Sequence, residues 1–172
     1  MSTTAEMEKL HTPQQIVDDA KAEFTRAKDR ITKALATTPD DKINWSPAPT
    51  ARTPLHQVAH AAMAVSGIHK MFQGEPMPFD NIAEMDAKWR AEEKAFTTRD
   101  QALDLLNKNS ETYLAWLDGL TPAQVTSTFT APFGEFPMAS AITWPADHLR
   151  NHAGQMEYLQ TCYGDLDWHM GA

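Results

Sequence analysis

The segment Asp147–Met156, DHLRNHAGQM, carries two histidines four residues apart in a stretch that otherwise reads as helix. On a helix this spacing places His148 and His152 on one face, about one turn apart. Two imidazoles placed in this way can bind one divalent ion, and a third protein ligand would complete the open site that is typical of a catalytic metal. The same spacing also fits two polar core residues with ordinary hydrogen-bond partners, so the rest of the chain has to decide between these interpretations.

The overall composition is that of an ordinary globular protein, with 42% hydrophobic and 22% charged residues in a chain of 172. A chain of this length suits one domain with a substantial hydrophobic core. We therefore expect residues 1–11 to form a flexible leader and residues 12–172 to form a single helical domain.

The charge pattern limits the classes of partner. The formal net charge is −8, which argues against nucleic acid or an anionic membrane as a partner, because phosphate contacts need clustered Lys and Arg. The sequence has no apolar run of about 18 residues and no signal-peptide pattern, so we expect no membrane span. A single cysteine, Cys162, fits a reducing cytoplasm, and we interpret it as a small buried hydrophobe on the last helix.

Cap signals and apolar stripes predict four long helices. Thr12-Pro13 and Thr53-Pro54 each provide an N-cap followed by proline, and Thr98 begins a capping box with Gln101. The first helix should end near residue 37, the second near residue 72, the third at residue 119 and the last near residue 163. The sequence thus predicts an all-α four-helix bundle, with a long proline-rich loop after the first helix and a long connection before the last one.

The last helix contains an internal proline. Residues 126–136 read as an extended stretch, and the helix should begin at residue 137 or 138. Pro145 lacks a backbone donor and clashes with the preceding turn. We therefore expect either a kink near Ala141 or a break that restarts the helix at Trp144.

The second helix provides a candidate for a third metal ligand. His60 lies between Ala59 and Ala61, and small neighbours allow another helix to come close. His56 lies in the first turn, where we expect it to reach solvent or a cap. His69 lies near the C-terminal end, where a cationic ring would suit the helix dipole. We therefore expect His60 to face the interior of the bundle.

Four short motifs occur in an order and at a spacing that characterise one family. They are Trp45–Pro47 (WSP), Thr53–His60 (TPLHQVAH), Ala131–Gly134 (APFG) and His148–Gln155, which reads H-x-x-x-H-x-G-Q. With these motifs the chain resembles the DinB/YfiT-like family over roughly residues 12–163. The last motif is the most specific of the four.

The resemblance implies a divalent metal held by three histidines, which in this chain are His60, His148 and His152. It also implies a transferase or isomerase that uses a low-molecular-weight thiol, because the family members with known activity work in this way. We expect zinc or nickel, with iron as the alternative, together with a small thiol and an electrophilic substrate. Dimers are common in the family, so we expect a homodimer.

Three hypotheses about function follow from the residues and the resemblance. The chain is a thiol-dependent metalloenzyme, a non-catalytic metal-binding or stress-response protein, or a bundle without a metal. Imidazoles suit zinc, nickel, iron and copper alike, so they do not select the ion. No general base can be assigned, since helix geometry turns neither Asp147 nor Glu157 clearly toward the histidines. Gln155 could line a pocket beside them.

Overall fold

The computed structural model of this chain describes residues 11–76, 79 and 81–169. The elements follow one another as α1 (Pro13–Thr37), α2 (Pro54–Phe72), α3 (Ile82–Glu93), α4 (Arg99–Asp118), α5 (Pro122–Val125), β1 (Thr128–Ala131), β2 (Gly134–Pro137), α6 (Met138–Ala141) and α7 (Trp144–Cys162). The predicted mostly helical fold is therefore confirmed, with one small two-stranded sheet added. Apart from His11, the expected leader lies outside the described residues.

Side-chain caps set the starts of the long helices where the sequence predicts them. The Thr12 hydroxyl accepts a hydrogen bond from the Gln15 backbone, and the Gln15 side chain accepts one from the Thr12 backbone. The Thr53 hydroxyl accepts from the His56 backbone at the start of α2. Thr98 starts α4 with the same box as Thr12. Each cap satisfies backbone donors that have no partner within the helix.

Helix α2 lies at the centre of the fold, where it packs against both α4 and α7, while α1 packs mainly against α7. Its alanines Ala59, Ala61 and Ala62 are fully buried, so both neighbouring helices approach its backbone closely. Larger side chains fill the space around it, and the fully buried ones include Phe24, Ile31, Leu35, Leu106, Tyr113, Leu117 and Leu149. This packing places the middle of α2 directly beside the first turns of α7.

The chain breaks ahead of Pro145, which is one of the two predicted outcomes. Helix α6 ends at Ala141 and α7 begins at Trp144, so Pro145 falls in the first turn of the new helix. A proline is tolerated there because the first backbone N–H groups of a helix have no acceptor within it. His148 and His152 therefore lie on an uninterrupted helix that starts just before them.

The hairpin of β1 and β2 packs against the start of α7. Phe129 pairs with Phe136 across the two strands. The chain reverses at Gly134, whose φ of +145° is a backbone conformation that residues with a Cβ atom avoid. The Phe136 ring packs edge-on against the Trp144 ring with centroids 4.9 Å apart. The hairpin thereby fixes the indole at the N-terminus of α7.

Two further expectations concern the burial of Cys162 and membrane-spanning helices. The prediction that Cys162 is buried is wrong, because this last residue of α7 is exposed and falls outside the buried stripe of Met156, Leu159 and Gln160. None of the described helices combines the length and apolar character needed to cross a bilayer.

Candidate metal centre

Three histidines from two helices converge inside the bundle. His60 comes from α2, and His148 and His152 come from α7. One ring nitrogen of each lies within 4.8 Å of those of the other two. The Nε2 atoms of His148 and His152 are 3.1 Å apart, and the rings of His60 and His152 have centroids separated by 4.7 Å. His60 therefore faces the interior of the bundle, as the sequence predicts.

Hydrogen bonds on the far sides of two rings fix their orientation. The Nδ1 atom of His60 lies 2.8 Å from Oε1 of Glu93, and Nδ1 of His152 lies 2.5 Å from Oε1 of Gln57. A carboxylate oxygen and an amide oxygen can only accept, so each Nδ1 must carry the proton. This proton placement leaves the Nε2 lone pair of both rings free to bind a metal.

Glu93 is held as a buried anion. Its side chain is only 2% exposed, and Arg52 Nε donates to its Oε2 at 2.8 Å while His60 occupies its Oε1. Burial by itself would raise the pKa of Glu93, but the hydrogen bonds and charges of His60 and Arg52 outweigh burial and hold the pKa below its usual value. Since both oxygens are engaged, Glu93 orients His60 and is not a free base.

Burial also keeps the two imidazoles of α7 neutral. It lowers the pKa of His148 to about 4, with smaller contributions from the charges of His60 and Arg52. It lowers the pKa of His152 to about 3, and the charges of His148, His60 and Arg52 act in the same direction. Neutral imidazole is the form that binds a metal, so these rings need not release protons at neutral pH before binding one.

The donor set fits a divalent transition-metal ion. It offers three imidazole nitrogens, and the cluster found among the described residues contains no fourth protein ligand. Nitrogen ligands of this kind suit zinc, nickel, iron and copper. Three protein ligands would leave coordination positions for a small molecule, as in catalytic rather than structural zinc sites.

Two of the remaining histidines lie apart from this cluster. The half-buried His56 uses its backbone N–H in the Thr53 cap, and burial lowers its pKa. His69 packs among the rings of Tyr113 and Trp116, and its Nε2 has no hydrogen-bond partner. The expected cationic His69 at the helix end is wrong, because burial lowers its pKa below the usual value.

His69 should therefore make the fold less stable in acid. Because its pKa is depressed in the folded chain, the unfolded chain binds more protons once the pH falls below about 6.5, and the free energy of unfolding decreases. We expect His69→Gln to remove part of this decrease between about pH 7 and pH 5, while His148 and His152, whose pKa values burial also lowers, contribute the rest. Urea denaturation of both proteins across this range provides the measurement. Parallel stability curves would show that the titration of His69 makes no contribution.

Sequence reasoning missed the residues that support the triad. Gln57 precedes His60 by three positions on α2, so helical spacing alone could have indicated it. Nothing in the sequence indicated a comparable role for Glu93, because the charged residues around it are typical of a solvent-exposed segment. Asp147 instead bonds Arg150, and Glu157 bonds Arg30, so neither reaches the histidines.

Two of the clefts in the described part of the chain lie near the triad. One has mainly apolar walls that include His148, and the other carries several charged and amide side chains and includes Gln57. The apolar cleft has a volume of about 780 Å³, and its walls include Met63, Met71, Met85, Trp89, Trp144 and His148. The polar cleft has a volume of about 640 Å³, and its walls include Arg52, Gln57, Arg90, Asn151, Gln155 and Tyr158. Gln155 thus lines a cleft, as the sequence suggested. His148 opens directly into the apolar cleft, so a small molecule there would meet the triad.

Comparison with known proteins agrees with this fold. A family model described as the DinB superfamily matches residues 23–156. The crystal structure of an uncharacterized protein from Clostridium difficile 630 is similar in fold, with a TM-score of 0.64 and 12% sequence identity over 87% of this chain and 97% of that one. At this identity the likeness concerns the fold alone. No curated protein matches the chain.

Proposed function

Since this chain belongs to the DinB superfamily, we propose that it is a metal-dependent transferase or isomerase that uses a small thiol. His60, His148 and His152 would hold the divalent ion, which we expect to be zinc or nickel, with iron as the alternative. The observation that carries the proposal is the convergence of three imidazole nitrogens beside an open cleft. A divalent ion bound there would act as a Lewis acid and favour the deprotonated form of a thiol.

The surroundings of the triad support a preorganised site. Glu93 and Gln57 fix the proton positions and ring orientations of His60 and His152. Such partners raise the basicity of the ligands and are a common part of working metal sites. Access through the apolar cleft to His148 favours a site that exchanges small molecules over one that is closed by protein groups.

The family resemblance supplies the reaction class, and the residues of the site are compatible with it. In a transfer, the thiol loses its proton to solvent, the thiolate sulfur attacks an electrophilic carbon, a C–S bond forms, and the leaving group departs with its bonding electrons. In an isomerisation, the thiolate adds to one carbon of a carbon–carbon double bond and the remaining single bond rotates. The double bond then re-forms as the C–S bond breaks and the thiolate leaves. A thiol needs little help, since its ordinary pKa is about 8.5. The reaction therefore needs no strong general base. Glu93 could not serve as one, because both of its oxygens already accept hydrogen bonds.

The resemblance further supports a homodimer as the working form, and a single cysteine fits a reducing cytoplasm as its location. We include both in the proposal. Size measurement in solution would test the dimer.

Elemental analysis of protein purified without chelators tests the metal, and about one ion per chain is expected. The same preparation is then assayed with low-molecular-weight thiols and 1-chloro-2,4-dinitrobenzene, an aromatic electrophile. Absence of metal, together with no binding of added zinc or nickel, would overturn the proposal. Stoichiometric metal without turnover of any thiol would instead favour the non-catalytic metal-binding protein.

A further inference from the structure

We propose that the apolar cleft binds the electrophilic substrate through an uncharged aromatic or branched alkyl group. This inference rests on the proposed function and adds the substrate class. The volume of about 780 Å³ lies within the range of roughly 300–1,000 Å³ for small-molecule sites. Such sites are mostly apolar and contain few polar groups.

Two indole rings form fixed walls of the cleft. Trp89 of α3 lies over Gly67 of α2, where a Cβ on the glycine would stand only 3.4 Å from the indole, and its ring meets the ring of His60 at a centroid distance of 5.3 Å. Trp144 is held by the hairpin through Phe136 and Phe129. Rings that are fixed in advance lose little conformational freedom when they pack against a flat apolar group.

Methionines supply the adaptable part of the cleft. Met63 and Met71 come from α2, and Met85 comes from α3. Their unbranched side chains fit groups of different shape and make favourable contacts with aromatic rings. Apolar area that a ligand buries there favours binding, and the costs of association offset part of this gain.

The charges on the cleft walls select against an ionic ligand. Lys70 and Lys88 are matched by Glu75 and Glu92, so the ionisable lysines and glutamates on the walls carry no net charge. Lys88 also lies over the Phe79 ring, with Nζ 5.2 Å from the centroid. In the metal-free chain, an anion would gain no net attraction from these wall charges and would lose solvation on entry.

The position of the cleft directs the bound group to the triad. His148 is part of its wall, and the Nε2 atom of that ring lies 3.1 Å from Nε2 of His152. A substrate whose apolar part fills the cleft therefore presents its reactive carbon beside the three imidazoles. The polar cleft is lined in part by Arg52, Arg90 and three amide side chains, and none of the three histidines belongs to its walls.

Binding of 1-naphthol, an uncharged aromatic probe, to the full metal-free chain tests the inference by equilibrium dialysis. Ser66 lines the cleft, so Ser66→Phe should fill part of it and raise the Kd at least about tenfold. Ser66→Ala leaves the space open and should bind like the wild type. Asn151→Ala, in the polar cleft, should also leave the Kd unchanged. The anionic probe 1-naphthalenesulfonate should bind at least about tenfold more weakly than 1-naphthol.

Equal 1-naphthol affinity in Ser66→Phe and wild type would overturn the inference, as would sulfonate binding as tight as that of 1-naphthol. If Ser66→Phe fails to fold, Trp89→Ala removes a wall and should weaken binding in the same way. In metal-loaded protein, Ser66→Phe should raise KM for 1-chloro-2,4-dinitrobenzene and leave KM for the thiol unchanged.

Failure of the inference can be distinguished from failure of the proposed function. His152→Ala should keep 1-naphthol affinity, since this ring is not among the cleft walls, while it loses metal. A chain that binds 1-naphthol but never binds metal would overturn the proposed function alone. A chain that binds metal and turns over the thiol, with no effect of Ser66→Phe on either ligand, would overturn the inference alone.

Discussion

Replacing His152 with alanine should remove high-affinity metal binding while leaving the helical content largely intact. The ring is buried and contributes one of three converging nitrogens. Loss of an outer partner of a ligand alone costs about 10–100-fold in affinity, so loss of the ligand itself should cost more than about hundredfold. Competition for zinc with a chromophoric chelator gives the affinity, and circular dichroism gives the helical content.

The matched control is His169→Ala, which removes a histidine that lies outside the triad. Its ring bonds Asp165 near the end of the described chain, so metal affinity should equal that of the wild type. If His152→Ala still bound metal stoichiometrically and tightly, the ligand set would be wrong. If both variants lost binding equally, the effect could not be assigned to the triad.

Glu93→Ala should lower the free energy of unfolding of the metal-free protein by about 3–5 kcal/mol, which is the usual cost of leaving one partner of a buried ion pair alone. Glu93 is almost fully buried, and its removal takes the acceptor away from Arg52 Nε and from the Nδ1–H of His60. Arg52 keeps its bond to Asp86, so the cost should lie at the lower end of this range. Metal affinity should also fall by about 10–100-fold, because His60 loses the group that orients it. Urea denaturation gives the first quantity and zinc competition gives the second.

Asp86→Ala provides the matched control for charge. Asp86 also bonds Arg52, but its side chain is 43% exposed, so its loss should cost about 1 kcal/mol or less. Glu93→Gln keeps an acceptor in place and should cost less than Glu93→Ala. Equal destabilisation by Glu93→Ala and Asp86→Ala would show that burial of the Glu93 carboxylate does not set its contribution.

Helix starts were predictable because cap chemistry is local. Thr12, Thr53 and Thr98 each bond a backbone group three residues further on, so the pattern is complete within one turn of sequence. An interruption ahead of Pro145, either a kink or a break, was likewise indicated by the geometry of proline itself. The exposure of Cys162 was not predictable from its helix, because burial depends on where the neighbouring helices end.

Part of the candidate site was predictable from the sequence, and part of it was not. The pairing of His148 with His152 follows from helical spacing. His60 was singled out by its small neighbours and by the family resemblance. The role of Glu93 was not predictable, since it lies 33 residues from His60 in a segment whose charges resemble a solvated surface.

The sequence by itself determined the four long helices and their caps and narrowed the region before Pro145 to a kink or a break, and with the family resemblance it singled out the three histidines to be tested. Only the tertiary structure decided that α3 carries the Glu93 carboxylate into the interior beside Arg52 and His60, and that an apolar cleft opens onto His148. The physical reason is the distance along the chain over which each kind of interaction acts. Caps and helix faces depend on groups within one turn, whereas the environment of a buried charge depends on which distant segments the folded chain brings against it.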